Sequence, residues 1–565
     1  MSKFEQFPAE VFYLILDYLK TWEIFYYFYN KSQRMSMLLL NYSRYRIDFR
    51  SISRDNFDFF LEKIRLTNII SLILSNDNQT PGQIPLFLSL INPSDLFRLH
   101  YLSVLHIEEH HLLEFLRHLS RKNLKALTIH CQPSFRFRNH GVELLCLLSS
   151  LIFQSKLRYL HFNFWIFEMK SLTWSIQSTL HSLRTDLSSF SEYCLILNYF
   201  VNLKTLILNK CSIFDIENIY LSYKFMPPCH LQLKSLSIDK ICYVKMETLS
   251  LFLSVTPSIK YLKIIGCGSL RNQAFNGNQW KDFIEGKLRS LDKFQFYFQT
   301  QRNPQVDVEN VSSIINSFSD SFWINSKQWF VACDFIRNLR QIRLYSIPIC
   351  RTDFYLIPQW NLFSRSTLTS TTTMEQIQKL QVNLSSGMTD ENLIHKISFP
   401  IRDLFDLSSP SIFPQVDELH FEFDDQWPMN LHELIAIDLS RIVKVSLNIY
   451  FDQDSRHQVV IDALNDVFQR MPNIHTVYNM NRTVNAKILC SIVPSHIQHL
   501  QTKVKEIHQM KIILQHFQCL SSVEFDFLAC SPHFPKTIIK WLKKKQILFE
   551  FYCTQYSLQL WLDNN

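Results

Sequence analysis

Leu203-Lys204-Thr205-Leu206-Ile207-Leu208-Asn209-Lys210-Cys211 is the stretch on which the reading of this chain turns. Leu206 and Leu208 alternate with period two, the pattern of a strand with one buried face. Leu203 sits on the turn that enters the strand. The same string of apolar, two residues, apolar, any residue, apolar recurs along the chain. It reads Leu102-Ser-Val-Leu105-His-Ile107, Leu124-Lys-Ala-Leu127-Thr-Ile129 and Leu157-Arg-Tyr-Leu160-His-Phe162 upstream. Downstream come Leu233-Lys-Ser-Leu236-Ser-Ile238, Ile259-Lys-Tyr-Leu262-Lys-Ile264, Leu339-Arg-Gln-Ile342-Arg-Leu344 and Val416-Asp-Glu-Leu419-His-Phe421. Ile442-Val-Lys-Val445-Ser-Leu447 and Leu520-Ser-Ser-Val523-Glu-Phe525 continue the series, and weaker copies begin at Ile69, Leu291, Ile377, Ile474 and Ile497. The second position is often basic.

Between copies lie stretches of helical period, such as His110 to Leu119 and Gly141 to Phe153. A strand followed by a helix, repeated in one direction, predicts a parallel sheet lined on one side by helices. Copies begin 22 residues apart at Leu102 and Leu124 but 48 apart at Leu291 and Leu339, so the longer spacings predict insertions outside the sheet. The pattern resembles the leucine-rich repeat, Leu-x-x-Leu-x-Leu-x-x-Asn/Cys, with Cys211 and Cys267 at the closing position of two copies. The resemblance implies an α/β solenoid, a curved parallel sheet with outer helices, over residues 46–565. The end of the chain reads as a strand, Ile547 to Cys553, and an apolar segment, Leu558 to Leu562, that would cap the last sheet edge.

Residues 1–45 have another character. Between Phe4 and Leu40, 23 of 37 residues are apolar. Pro8 suits the first turn of a helix. Val11, Ile15 and Leu19 share one face, with Phe12 and Leu16 beside them. Thr21 is placed to cap a second helix carrying Ile24, Phe25 and Phe28, and Met35 to Leu40 suits a third. The string Phe7-Pro8-Ala-Glu10-Val11-Phe12-Tyr-Leu-Ile15-Leu16-Asp-Tyr-Leu19, followed by Glu23-Ile24, is similar to the first half of an F-box. The second half departs from that family, with Asn30-Lys31-Ser32-Gln33-Arg34 in place of Val-Cys-x-x-Trp. A three-helix module this small carries more apolar side chains than it can hide. The surplus is expected to meet either a partner protein or the first repeat, from Tyr45 to Leu74.

Composition narrows the function classes. Only 7 Gly among 565 residues argue against a phosphate-cradling nucleotide fold. The formal net charge of +8 is a mild excess, read as a solvated surface with its densest cluster at Lys540, Lys543, Lys544 and Lys545. The 13 Cys show no Cys-x-x-Cys pair, which argues against a zinc module or a disulfide framework and fits a reducing compartment. The start of the chain shows no signal-peptide h-region, and no apolar run reaches the roughly 18 residues of a membrane span. Cytoplasmic or nuclear residence is the expectation.

His106-Ile107-Glu108-Glu109-His110 matches a zinc-protease string that needs both His on one helix face. Here His106 falls inside a repeat strand and the helix starts near Glu109, so the imidazoles are expected to diverge. Gly266-Cys267-Gly268-Ser269 is too short for a dinucleotide loop. Ser364 to Thr373 reads as a loop of low complexity. No catalytic, cofactor-binding or metal-ligating residue is expected, and neither nucleic acid nor membrane is an expected partner. What the family resemblance implies is a non-enzymatic substrate-recognition subunit of a cullin–RING ubiquitin ligase. It would dock a Skp-type adaptor through Phe7, Pro8, Val11, Phe12, Ile15, Leu16, Leu19 and Ile24, and hold an unknown target on residues such as Lys125, Thr128, Lys204, Ile207, Lys260 and Lys263. The alternative is a leucine-rich-repeat scaffold unconnected with ubiquitin, whose N-terminal helices only cap the solenoid.

Overall fold

A computed structural model describes residues 7–562 except 20, 120–122, 133–140, 155, 164–178, 188–189, 212–229, 243–245, 269–272, 301–306, 338, 352, 357–361, 369–378, 384–414, 424–437, 450–456, 480–485, 528–532, 548 and 554–556. The protein is α/β, with two large, mostly parallel sheets and helices alongside. The first ten strands are β1 (Tyr45–Asp48), β2 (Ile69–Ser75), β3 (Tyr101–Ile107), β4 (Ala126–Cys131), β5 (Tyr159–Phe162), β6 (Ser182–Leu187), β7 (Thr205–Cys211), β8 (Ser235–Cys242), β9 (Tyr261–Gly268) and β10 (Lys293–Thr300). All ten lie side by side in chain order and run parallel.

The recurring strings set the register. Leu102, Leu127, Leu160, Leu183, Leu206, Leu236, Leu262 and Phe294 are paired rung to rung and form one buried row. A second row runs through Leu208, Ile238, Ile264 and Phe296. Shifting any strand by one residue would turn these side chains to the polar face, at roughly 1.5–3 kcal/mol for each Leu or Ile exposed. Helices cover the apolar side and stack in the same order: Gln83–Leu90 on Glu109–His118, and that helix on Gly141–Gln154. The rung at β6 is absent from the series of strings, because its third apolar position is Thr185, a fully buried polar residue.

The series does not continue as a single parallel sheet. β11 (Phe330–Ile336) and β12 (Gln341–Ile347) form an antiparallel hairpin, and β12 also runs antiparallel to β10. The Leu339 string therefore points opposite to the copies before it. Only four residues separate the two strands. A parallel return needs a crossover of a dozen or more, so so short a connection can only make a hairpin. β13 (Asp353–Leu356) opens a second sheet, whereas β14 (Leu362–Ser366) returns to the edge of the first, beside β11. Ser364 to Ser366, expected in a loop, are thus strand residues, and the Ser364 hydroxyl donates to buried Asp334.

The second sheet takes up the parallel series with β15 (Lys379–Asn383), β16 (Glu418–Phe423), β17 (Lys444–Ile449), β18 (Thr476–Asn479), β19 (His499–Val504) and β20 (Ser522–Phe527). Leu419, Val445, Val477, Leu500 and Val523 form its buried row. β21 (Phe549–Cys553) and β22 (Ser557–Leu562) close it as a hairpin, with β22 lying antiparallel on β20 and β21 outermost.

At the other end, α1 (Ala9–Leu16), α2 (Thr21–Phe28) and α3 (Gln33–Asn41) pack on β1 and on α4 (Arg54–Lys63). Phe25 joins the layers, its ring 5.8 Å from Tyr45 and 5.2 Å from Phe60. Tyr45 donates to the Leu39 carbonyl at 2.6 Å. Thr21 is the first residue of α2, and its hydroxyl donates at 2.6 Å to the Arg46 carbonyl of β1, tying the helix to the sheet edge.

The two ends of the chain meet. Trp561 of β22 is fully buried, donates from Nε1 to the Ile52 carbonyl at 3.1 Å, and packs 5.3 Å from the Phe57 ring. Arg54 lies over the same indole and pairs with Glu550 at 2.9 Å. The loop after β2 reaches the polar face of the second sheet. Asn78 donates to Gln501 and accepts from Gln559, and Gln79 donates to Thr476. That face is accordingly buried although polar: Thr476, His499, Ser522 and Glu524 are each at most 5% exposed.

Candidate functional site

The eight residues expected to dock an adaptor divide between core and surface. Phe12, Leu16 and Ile24 are buried within the three-helix module, where Phe12 meets Phe28 edge-to-face at 5.2 Å. They contribute to the core of the module, and their side chains are covered in this arrangement. Phe7, Pro8 and Val11 are exposed, and Ile15 and Leu19 are half-buried. Leu14, Tyr18, Tyr26, Tyr27, Met37 and Leu40 are exposed as well, with Tyr18 91% accessible. Of the fifteen large hydrophobic residues exposed among the described residues, eight fall between Phe7 and Leu40. Exposed apolar side chains are thus concentrated on this one small module. The signal was in the sequence: Val11, Leu14 and Tyr18 fall at i, i+3 and i+7, so α1 is apolar on both faces.

The His106–His110 motif is not assembled as one donor pair. His106 takes a left-handed backbone (φ 56°) where the pairing of β3 with β4 shifts by one residue, and its side chain lines a central cavity. His110 groups instead with Glu108 and His111 at the start of Glu109–His118, with one ligand atom of each within 4.8 Å of the others. The Glu108 carboxylate lies 3.4 Å from His110 Nδ1 and also interacts with Tyr552 of β21. Burial, and then the charge of His110, push His111 below its usual imidazole value.

The central cavity, of about 620 Å³, lies where the loops after β1 and β2 face β17 and β18. Its charges are largely matched. Arg50 pairs with Asp48 at 2.6 Å; Lys444 reaches Glu418 at 3.2 Å and lies over the Tyr478 ring. Burial pushes Glu524, on the polar face of the second sheet, up to about 7, and burial holds His499 down at about 4. On the polar face of the first sheet, His130 and His161 stand 3.1 Å apart, held down to about 4 and about 3 by burial first and by neighbouring positive charge second. Cys211 is buried at the end of its strand and burial pushes its thiol up to about 12, the behaviour of a packing residue and not of a nucleophile. The side chain of Cys267 lies outside the described residues.

The residues anticipated for target contact fall into two rows. Thr128, Ile207 and Lys263 share a rung position with His161, Arg184 and Ser237 on the polar face of the first sheet. Lys125, Lys204 and Lys260 line the entry end of the strands. No protein-family model matches the chain, and no curated protein matches it. No helix among the described residues is long and apolar enough to cross a membrane.

Proposed function

We propose that this chain is a protein-binding subunit in which an F-box-like N-terminal module docks a Skp-type adaptor of a cullin–RING ubiquitin ligase and a leucine-rich-repeat sheet holds the target. The observation that carries the reading is the apolar crowding on α1 to α3, where Val11, Leu14, Tyr18 and Tyr26 stay in water while the module already has a complete core. Full burial of an exposed apolar side chain is worth roughly 1.5–3 kcal/mol, and each of these gains a share of that in proportion to its exposure when a partner covers it. The aligned rows of Leu206 and its neighbours support the repeat assignment, and the strings that generate them resemble that family. The chain's contribution would be positioning: binding target and adaptor together raises their effective concentration.

A second reading has its own observation. The module core runs without a break into β1 and α4 through Phe25, Tyr45 and Phe60, as an end cap would. One experiment separates the two. The purified chain is mixed with a Skp-type adaptor and binding is followed by calorimetry, beside a Leu14→Asp/Tyr18→Asp variant. Both positions are exposed, so the variant is expected to keep its melting temperature and lose the adaptor. A wild-type chain that binds no adaptor leaves the cap reading standing.

A further inference from the structure

The basic residues of the first sheet are not scattered. The second position of each repeat string falls at the entry of its strand, and the backbone joins these positions rung by rung. The N–H of Arg158 donates to the carbonyl of Lys125, His181 to Arg158, Lys204 to His181, Lys234 to Lys204 and Lys260 to Lys234, each at 2.8 Å. Six consecutive rungs therefore carry Lys, Arg, His, Lys, Lys and Lys in single file. At roughly 4.8 Å per rung the file is about 24 Å long. Arg158, Lys204, Lys234 and Lys260 are exposed.

Among the described residues, counter-charges are scarce beside this file. The next two polar-face positions on each rung, from Tyr101 and Ser103 to Tyr261 and Lys263, include no Asp or Glu and add Arg184 and Lys263. Among the described residues, the carboxylates that pair with this region are Asp292, 3.8 Å from Lys260, and Asp239, 3.6 Å from Lys263, whereas Asp186 of β6 is buried. Among the described residues, Lys125, Arg158, Lys204 and Lys234 have no ion-pair partner. The positive field is felt locally: His100, one rung before Lys125, is held below its usual value by burial and then by the charges of Lys125 and Arg98.

We infer that this file is the target-recognition edge of the protein and that it takes an extended acidic polypeptide segment lying across the strands. The inference rests on the protein-binding reading above and names the chemistry of its target. At about 3.3 Å per residue an extended segment of roughly seven residues spans the file, and carboxylates on it meet successive cations. A single-stranded nucleic acid would satisfy the same charges, but it also needs rings on which to stack its bases. The adjoining row on the same six rungs is Ala126, Tyr159, Ser182, Thr205, Ser235 and Tyr261, so its two rings stand four rungs apart with only small residues between them and no two successive rungs offer a stacking platform. The polar face of the second sheet is not an alternative, because the loop after β2 already covers it.

The test uses the full chain and a fluorescein-labelled ten-residue oligoglutamate, read by anisotropy in low salt. Beside it are run an oligoglutamine of equal length and a single-stranded oligonucleotide of equal charge. Two double variants carry the same change in net charge: Lys204→Glu/Lys234→Glu on the file, and Lys540→Glu/Lys543→Glu on the C-terminal helix. The expected result is oligoglutamate binding that weakens about ten-fold or more in the first variant, less than about two-fold in the second, and falls as salt rises. Equal loss in both variants, equal binding of oligoglutamine, or tighter binding of the oligonucleotide overturns the proposal. Adaptor binding is read separately at α1, so failure here and failure of the adaptor reading are distinguishable.

Discussion

Glu524→Gln is expected to make the protein more stable at pH 8 and to leave it nearly unchanged at pH 5. Glu524 stands on the polar face of the second sheet, flanked across the strands by Gln501 and Gln559. It accepts a hydrogen bond from Gln559 at 2.9 Å, and Gln559 donates also to Asn78 from the opposite end of the chain. Burial pushes its carboxyl from 4.5 to about 7, with nearby Asp526 adding to the rise. A displacement of that size corresponds to roughly 3 kcal/mol. The folded chain holds a proton on Glu524 that the unfolded chain releases, so stability falls as pH rises from about 4.5 to about 7 and is level above that. Gln mimics the protonated acid and can still accept from Gln559. The variant should gain about 2–3 kcal/mol at pH 8, with the gain shrinking below about 1 kcal/mol at pH 5. Urea denaturation of both proteins at half-unit pH steps measures the difference directly. A difference that does not change with pH, or that favours wild type at pH 8, would refute the reasoning about this buried acid.

Three further perturbations probe other parts of the fold. Trp561→Ala removes a buried indole and the hydrogen bond to Ile52, and should cost about 3–5 kcal/mol in urea denaturation, with faster amide exchange at 52–60. Gly277→Ala places a Cβ against the Ser317 carbonyl, so it should lower stability by about 1–3 kcal/mol even though alanine favours helix elsewhere. His130 and His161 are held neutral in the folded chain, so their contribution is present above about pH 6.5 and is lost as pH falls toward 4; His161→Gln should reduce acid lability between those values in a thermal-melt series.

The strings that contain Leu127, Leu206 and Leu262 placed those residues in one row correctly, because a two-residue period on a sheet with one apolar face admits a single register. The hairpin at Leu339 was misplaced for the converse reason: its string is the same, and only the length of the connection before it sets the direction of the strand. β6 carries no complete string because Thr185 fills an apolar position. In the helical module, periodicity identifies the helices, but it does not say that Phe12, Leu16 and Ile24 are buried while Val11 and Leu14 are exposed. With apolar residues on every side of α1, nothing local distinguishes core from surface. The basic file was visible as a recurrent Lys or Arg after the first leucine. Net charge alone hid it, since a mild total says nothing about alignment.

The contact of Trp561 and Glu550 with Ile52 and Arg54 has a consequence for how this architecture changes over evolutionary time. An array with free ends can gain or lose a unit by duplication at little structural cost. Here an added rung would carry Trp561 about 4.8 Å past its partner, and a lost rung would leave it as far short. The copy number is therefore locked by the circumference, and lineages that carry this contact should vary in the length of their outer insertions while keeping the tally of strands constant.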